Sequence, residues 1–248
     1  MVLPFREVAS NGRTSSPLFP GLGADQRLFQ EQSCALGNQL GLPDWIAPQG
    51  QETLQEYSRR LAEKLVQSEL KDSEEVVLGG MSFGGMVALE IADSLARFHQ
   101  KKVPKVLLIA SGRTRRLITP FFRFQAAFAK GLPDSLLRGL LRNQVVSRFV
   151  QQDKLSPEHG KLLADMVDDM NFEFFRWALG ACADWDPQDR FLQGNLPFEI
   201  FELQGEHDPV IPRSLESQVA VIPNGSHLIQ YTHAQEVNGW LQKHLQGG

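Results

Sequence analysis

Residues 74–91 read Glu-Glu-Val-Val-Leu-Gly-Gly-Met-Ser-Phe-Gly-Gly-Met-Val-Ala-Leu-Glu-Ile, and the fold turns on this stretch. Val76, Val77 and Leu78 form a short apolar run with β-branched residues, which suits a buried strand. Residues 86–91 are apolar on nearly all sides, the pattern of a helix covered by protein. Between them Gly80-Met81-Ser82-Phe83-Gly84 reads G-x-S-x-G. A serine on so tight a strand-to-helix turn projects its hydroxyl away from both elements. Gly80 and Gly84 flank it because side chains there collide where strand and helix pass closely. The Phe83 backbone N–H, at the helix start, then points at a developing oxyanion. The pentapeptide alone is weak; the strand before it and the buried helix after it give it weight. The competing reading is a glycine-rich turn between two core elements. A phosphate-binding loop is disfavoured, since it wants Lys rather than Phe in this neighbourhood.

Working outward, 248 residues suffice for one large α/β domain with ample core. A formal net charge of −4 argues against a general nucleic-acid binder. Cys34 and Cys182 are isolated, with neither metal-ligand spacing nor a disulfide framework. That fits a reducing compartment, and a cytoplasmic location is expected. Residues 1–20 include Arg6 and Glu7 and lack a continuous apolar core, so no cleaved signal is expected. No stretch approaches the length and apolarity of a membrane span. No metal or organic cofactor is implied.

Towards the N-terminus, residues 4–9 suit a short edge strand and Asn11-Gly12 a turn. Residues 17–20 read as a strand leading into Gly21-Leu22-Gly23-Ala24-Asp25, with Asp25 as N-cap of a helix over 26–36. The Leu22 N–H is the candidate second oxyanion donor, opposite Phe83; the alternative is an ordinary strand–helix loop. Residues 44–47 suggest another short strand. Thr53 and Glu56 form a capping-box pattern, and Leu54, Tyr57, Leu61 and Leu65 repeat at helical spacing, predicting a helix over 54–68. Residues 103–110 form a second strongly apolar strand. Such regular alternation implies a mostly parallel sheet with helices on both faces, a three-layer α/β/α fold.

The rhythm breaks at Ser111. Residues 113–190 show helical segments and no convincing strand, and are expected to form a helical cap insertion over a core of 1–112 and 191–248. The first half of the insertion carries eight Arg and Lys, among them Arg113, Arg115 and Arg116, against Asp134 alone; the second half is mostly acidic. Aromatics run throughout. The sheet resumes at 198–203 and ends at Gly205-Glu206-His207-Asp208-Pro209. Residues 218–222 form a last strand before Gly225-Ser226-His227. Thr232 and Gln235 fit a cap for a closing helix over 233–245.

These pieces resemble the α/β-hydrolase superfamily over nearly the whole chain. The order Ser82, Asp208, His227 is that superfamily's order of nucleophile, acid and base. Pro20-Gly21-Leu22-Gly23 occupies the place of the family's oxyanion loop, with Pro20 where a histidine is usual. The connection between the last two strands looks trimmed to a turn around 212–215. The resemblance implies that Ser82 attacks, that His227 takes its proton, and that Asp208 holds the imidazole. His207 and His233 are rival bases by proximity, and Asp184 and Asp186 rival acids.

Three functional readings follow. The leading one is a serine hydrolase cleaving a small carboxylic ester through an acyl-enzyme, with an aromatic cap receiving an acyl or aryl group of moderate size. The second is a thioesterase on acyl-CoA or acyl-carrier substrates, with Arg113, Arg115 and Arg116 steering phosphate. The third is a non-catalytic ligand-binding protein of the same fold. Lyase or carbon–carbon hydrolase chemistry also stays open. Dehalogenase chemistry is disfavoured, because position 82 is Ser rather than Asp.

Overall fold

The computed structural model describes residues 16–144, 149–151, 153–211 and 219–246. The expected edge strand at 4–9, the Asn11-Gly12 turn and the trimmed connection at 212–215 lie outside the described residues. Six strands form one sheet: β1 (Ser16–Phe19), β2 (Leu40–Gly41), β3 (Leu78–Met81), β4 (Lys105–Ile109), β5 (Glu199–Gly205) and β6 (Val219–Ile222). Their spatial order is β2-β1-β3-β4-β5-β6, and each paired neighbour runs parallel.

Side-chain alternation along β4 splits the core in two. Val106 and Leu108 join the cluster under α2 (Leu54–Gln67) and α3 (Phe83–Phe98). Leu107 and Ile109 point the other way, into the cluster under α1 (Gln30–Leu36), the one-turn α8 (Ile229–Thr232) and α9 (Ala234–Gln246). Both faces of the sheet are thus covered, as parallel sheets require. Every residue of α3 from Phe83 to Leu95 is buried, which explains its near-continuous apolar sequence. At about 1.5–3 kcal/mol for each large aliphatic side chain buried, this helix is the main anchor of its layer. Its two buried acids are both paired: Arg190 reaches Glu90 at 2.8 Å and Asp93 at 3.2 Å, and the Trp185 indole donates to Glu90 at 2.9 Å.

Three expectations shift. The ladder of β3 begins at Leu78 rather than Val76, because the Val76 N–H is taken by the Lys102 carbonyl below the strand. Residues 44–47 form no strand. The apolar Trp45 and Ile46 instead pack on the α2 layer, and both backbone groups of Ile46 bond the Tyr57 hydroxyl. Thr232 does not cap the last helix: it lies in α8, and its hydroxyl donates to the Leu228 carbonyl.

Between β4 and β5 run α4 (Pro120–Lys130), α5 (Asp134–Gln144), α6 (Pro157–Asp169) and α7 (Phe172–Asp184), with no strand among the described residues. Thr119, Ser156 and Asn171 cap α4, α6 and α7 with their side chains. Ala126, Leu137, Phe172, Phe175, Leu179 and Ala183 form a small core of their own. Ion pairs tie the two halves together: Arg142 pairs with Asp168, Arg176 with Asp134 and Arg115 with Asp186.

Candidate active site

At the carboxyl edge of β3, Ser82 has φ 51° and ψ −120°. A non-glycine residue there costs of order 1–3 kcal/mol and persists only where its surroundings over-determine it. The Ser82 N–H donates to the Ile109 carbonyl at 3.0 Å, and the Ser82 carbonyl accepts from the Gly85 N–H at 3.0 Å. The flanking glycines are steric necessities. A Cβ on Gly80 would stand 2.3 Å from the Gly84 backbone, and one on Gly84 would stand 2.1 Å from the Phe19 carbonyl oxygen. The first turn of α3 therefore crosses directly over the end of β1, and Ser82 stays partly exposed.

The loop after β1 lies against this turn, since a Cβ on Gly21 would sit 3.6 Å from the Ser82 Cβ. The Leu22 N–H makes no hydrogen bond among the described residues, and the Phe83 N–H opens α3 without an intrahelical acceptor. Both are backbone donors beside Ser82. With Pro20 in the usual histidine position, other groups brace the loop. Ala24 N–H closes on the Gly21 carbonyl at 3.1 Å, and Asp25 caps Arg27 N–H at 2.9 Å. The Arg27 guanidinium clasps Asp25 at 2.6 Å and Asp169 at 3.0 Å, and the Tyr231 hydroxyl donates to the Arg27 carbonyl at 3.0 Å.

On the other flank, β5 ends at Gly205, where a Cβ would lie 2.2 Å from the Ser226 carbonyl oxygen. The Asp208 loop and the His227 loop are thereby locked together, and the His207 N–H adds a bond to the Gly225 carbonyl at 2.8 Å. One Asp208 carboxylate oxygen accepts from the Val210 and Ile211 N–H groups at 2.8 and 3.0 Å. The other lies 2.8 Å from His227 Nδ1. Both side chains are buried, at 2% exposure for Asp208 and 8% for His227. A carboxylate at Nδ1 keeps the proton there and leaves Nε2 as an acceptor.

The structure thus joins Asp208 to His227, while no hydrogen bond between the Ser82 hydroxyl and the imidazole occurs among the described residues. Strands β3 and β5 stand two spacings apart, about 10 Å. Nucleophile–base hydrogen bonds are often long before substrate binds. The rivals are elsewhere: His207 is exposed, His233 meets Thr232, Asp186 is held by Arg115 and Asp184 faces solvent.

Over residues 5–240 the sequence matches the alpha/beta hydrolase family. The chain belongs to that family. Among solved α/β-hydrolase structures it resembles an esterase from Thermogutta terrifontis, at 20% identity over 94% of this chain and 90% of that one, with a TM-score of 0.75. It also resembles the enol-lactonase of Burkholderia xenovorans, at 15% identity over 94% and 92% of the two chains, with a TM-score of 0.70. A thioesterase of prodiginine biosynthesis in Streptomyces coelicolor shares 17% identity over 96% and 91%, with a TM-score of 0.62. A curated relative is the dihydrolipoyllysine-residue acetyltransferase component of the acetoin cleaving system of Pseudomonas putida. It is 26% identical over 98% of this chain and 67% of its own length.

In this α/β-hydrolase a cavity of about 280 Å³ opens beside the Gly21–Ala24 loop. Trp45, Ile46, Met166, Met170, Phe174 and Phe175 supply its apolar wall, and Asp25, Asp169 and Glu173 its polar wall. Trp45 stacks on Phe174 at 5.5 Å and on Phe19 at 5.8 Å, and touches Phe83 at 5.8 Å. The cavity wall is therefore continuous with the residue after Ser82. A larger open hollow, about 550 Å³, lies around Glu74, Glu75 and His99 at the opposite edge of the sheet, away from Ser82. Trp45 carries no sequence signature for this role, because an apolar residue after Pro43 reads equally well as a strand. Ser111, buried just past β4, carries none either. Among the described residues no helix is long and apolar enough to cross a membrane, and no three His, Cys, Asp or Glu are grouped to hold a metal.

Proposed function

We propose that this protein is a serine hydrolase acting on a small carboxylic ester through an acyl-enzyme, with Ser82 as nucleophile, His227 as base and Asp208 as its orienting acid. The observation that carries the proposal is the buried Asp208–His227 pair on the same sheet edge as a serine held at φ 51°. The Ser82 hydroxyl attacks the ester carbonyl carbon while His227 Nε2 accepts its proton. The resulting oxyanion lies between the Leu22 and Phe83 N–H groups. Collapse breaks the carbon–oxygen bond, and the departing alcohol takes the proton from Nε2. Water then attacks the acyl-enzyme by the same relay, releasing the acid and restoring Ser82. The aromatic wall around Trp45 and Phe174 suits an apolar acyl or aryl group. Residues 113–190 serve as the cap over that wall.

The ester reading stands ahead of the thioester reading because Arg113 and Arg115, invoked for phosphate, are already engaged by acids of this chain. Arg113 lies 2.6 Å from the buried Glu202, and Arg115 lies 2.6 Å from Asp186. The test is turnover of short p-nitrophenyl esters by wild type and Ser82→Ala, beside acyl-CoA of matching chain length at low and high salt. Loss of turnover in the variant is expected, and equal rates sink the assignment. Faster, salt-sensitive turnover of the acyl-CoA moves the substrate to the thioester class.

A further inference from the structure

Ser111 lies two residues past the end of β4 and is wholly buried. Its hydroxyl donates to the Ser82 carbonyl oxygen at 2.6 Å. That oxygen and the Phe83 N–H belong to one planar trans peptide, so they point in opposite directions and move as a unit. Pinning the oxygen therefore aims the N–H. We infer that Ser111 is a positioning residue that orients the Phe83 oxyanion donor through the Ser82–Phe83 peptide. The inference rests on the reading of Ser82 and Phe83 proposed above.

Four features of the surroundings support it. Ala110 has φ 43°, so the backbone turns through a conformation rare for L side chains immediately before Ser111. That turn is held by the Ala110 N–H on the Leu203 carbonyl at 2.8 Å. Next, the helix keeps room for this hydroxyl: a Cβ on Gly85 would stand 2.4 Å from Ser111 Oγ. Third, the buried Gln204 side chain donates to the Ser111 carbonyl at 3.0 Å and fixes the residue from β5. Finally, the Ser82 carbonyl already accepts from Gly85 and Met86 N–H at 3.0 and 3.4 Å. Folding does not need a third donor there. A third donor does polarise the peptide, and it strengthens the N–H on the other side.

Loss of the pin should act on the transition state, where the oxyanion forms, and not on the bound ester. The measurement is kcat and KM on a p-nitrophenyl ester, per active site titrated with a fluorophosphonate, together with the melting temperature. For Ser111→Ala, kcat should fall about tenfold with KM unchanged, less than the 10²–10³ typical when an oxyanion donor is removed outright. Ser111→Cys fills the same volume with a poor donor and should behave alike, which covers the case in which the alanine variant folds badly. Wild-type kcat in either folded variant overturns the inference. So does a loss of kcat that comes only with a proportional rise in KM and a lower melting temperature. If Ser82→Ala is inactive while Ser111→Ala keeps full activity, only this inference fails; if Ser82→Ala stays active, the functional reading fails first.

Discussion

Around Ser82 backbone is packed on backbone, whereas in residues 113–190 side chain is packed on side chain. At the first place a glycine Cβ would meet a carbonyl at 2.1–2.3 Å, at Gly80, Gly84 and Gly205. In the second, Gly139 in α5 has nothing within 4 Å of where a Cβ would stand, and Phe124, Phe128, Leu136 and Leu140 remain exposed. The difference is between a region with one permitted geometry and a region with many tolerable sequences. Chemistry that needs fixed donors belongs on the first, and selection among substrates can be carried by the second.

Paired glycine substitutions break this comparison most sharply. Gly84→Ala drives a methyl into the Phe19 carbonyl and should cost more than about 3 kcal/mol or prevent folding. Gly139→Ala should raise stability by about 1 kcal/mol, since alanine is the better helix former and nothing obstructs it. Chemical denaturation of both variants checks the pair; equal effects would remove the distinction.

A second probe concerns the aromatic wall. Phe174→Ala removes a ring stacked on Trp45 and tilted against Tyr57. The expected outcome is a loss of about 10- to 100-fold in kcat/KM for medium-length acyl esters, with acetyl esters changed by only a few-fold. A uniform loss across chain lengths would place the acyl group elsewhere.

The smallest effect is a pH dependence in the layer behind the site. Burial raises the Glu90 carboxyl above its ordinary value of 4.5, outweighing the opposing pull of Trp185 and Arg190. The folded state then holds this proton longer than the unfolded state. The contribution is present below the unfolded pKa and is lost as pH rises through the folded one. The stability advantage of wild type over Glu90→Gln should therefore shrink as pH rises above 4.5. Thermal melts of both proteins across that range decide it, and a growing advantage would contradict it.

These contrasts also explain what could be read from the sequence. The turn at Ser82 is specified by residues within two positions of it, so G-x-S-x-G between a strand and a buried helix was legible. The Asp208 and His227 loops were legible because each follows an apolar strand that ends in glycine-bearing turns. Ser111 was not, since its hydroxyl acts on a carbonyl 29 residues away and a serine after a strand carries no signature. Trp45 failed for a related reason: its apolarity serves a ring cluster with Phe19, Phe83 and Phe174, not a ladder. Thr232 misled because its hydroxyl had a nearer acceptor in Leu228. Arg113 and Arg115 suggested a phosphate site only while the acids that answer them, Glu202 and Asp186, lay far along the chain.

If Ser82 is the nucleophile proposed above, its hydroxyl becomes covalently bonded during turnover. Peptide mapping by mass spectrometry after fluorophosphonate treatment tests this directly. One adduct is expected, on the peptide containing Ser82, with a strongly slowed labelling rate in His227→Ala. An adduct on any other residue, or undiminished labelling of Ser82→Ala, would contradict the proposal.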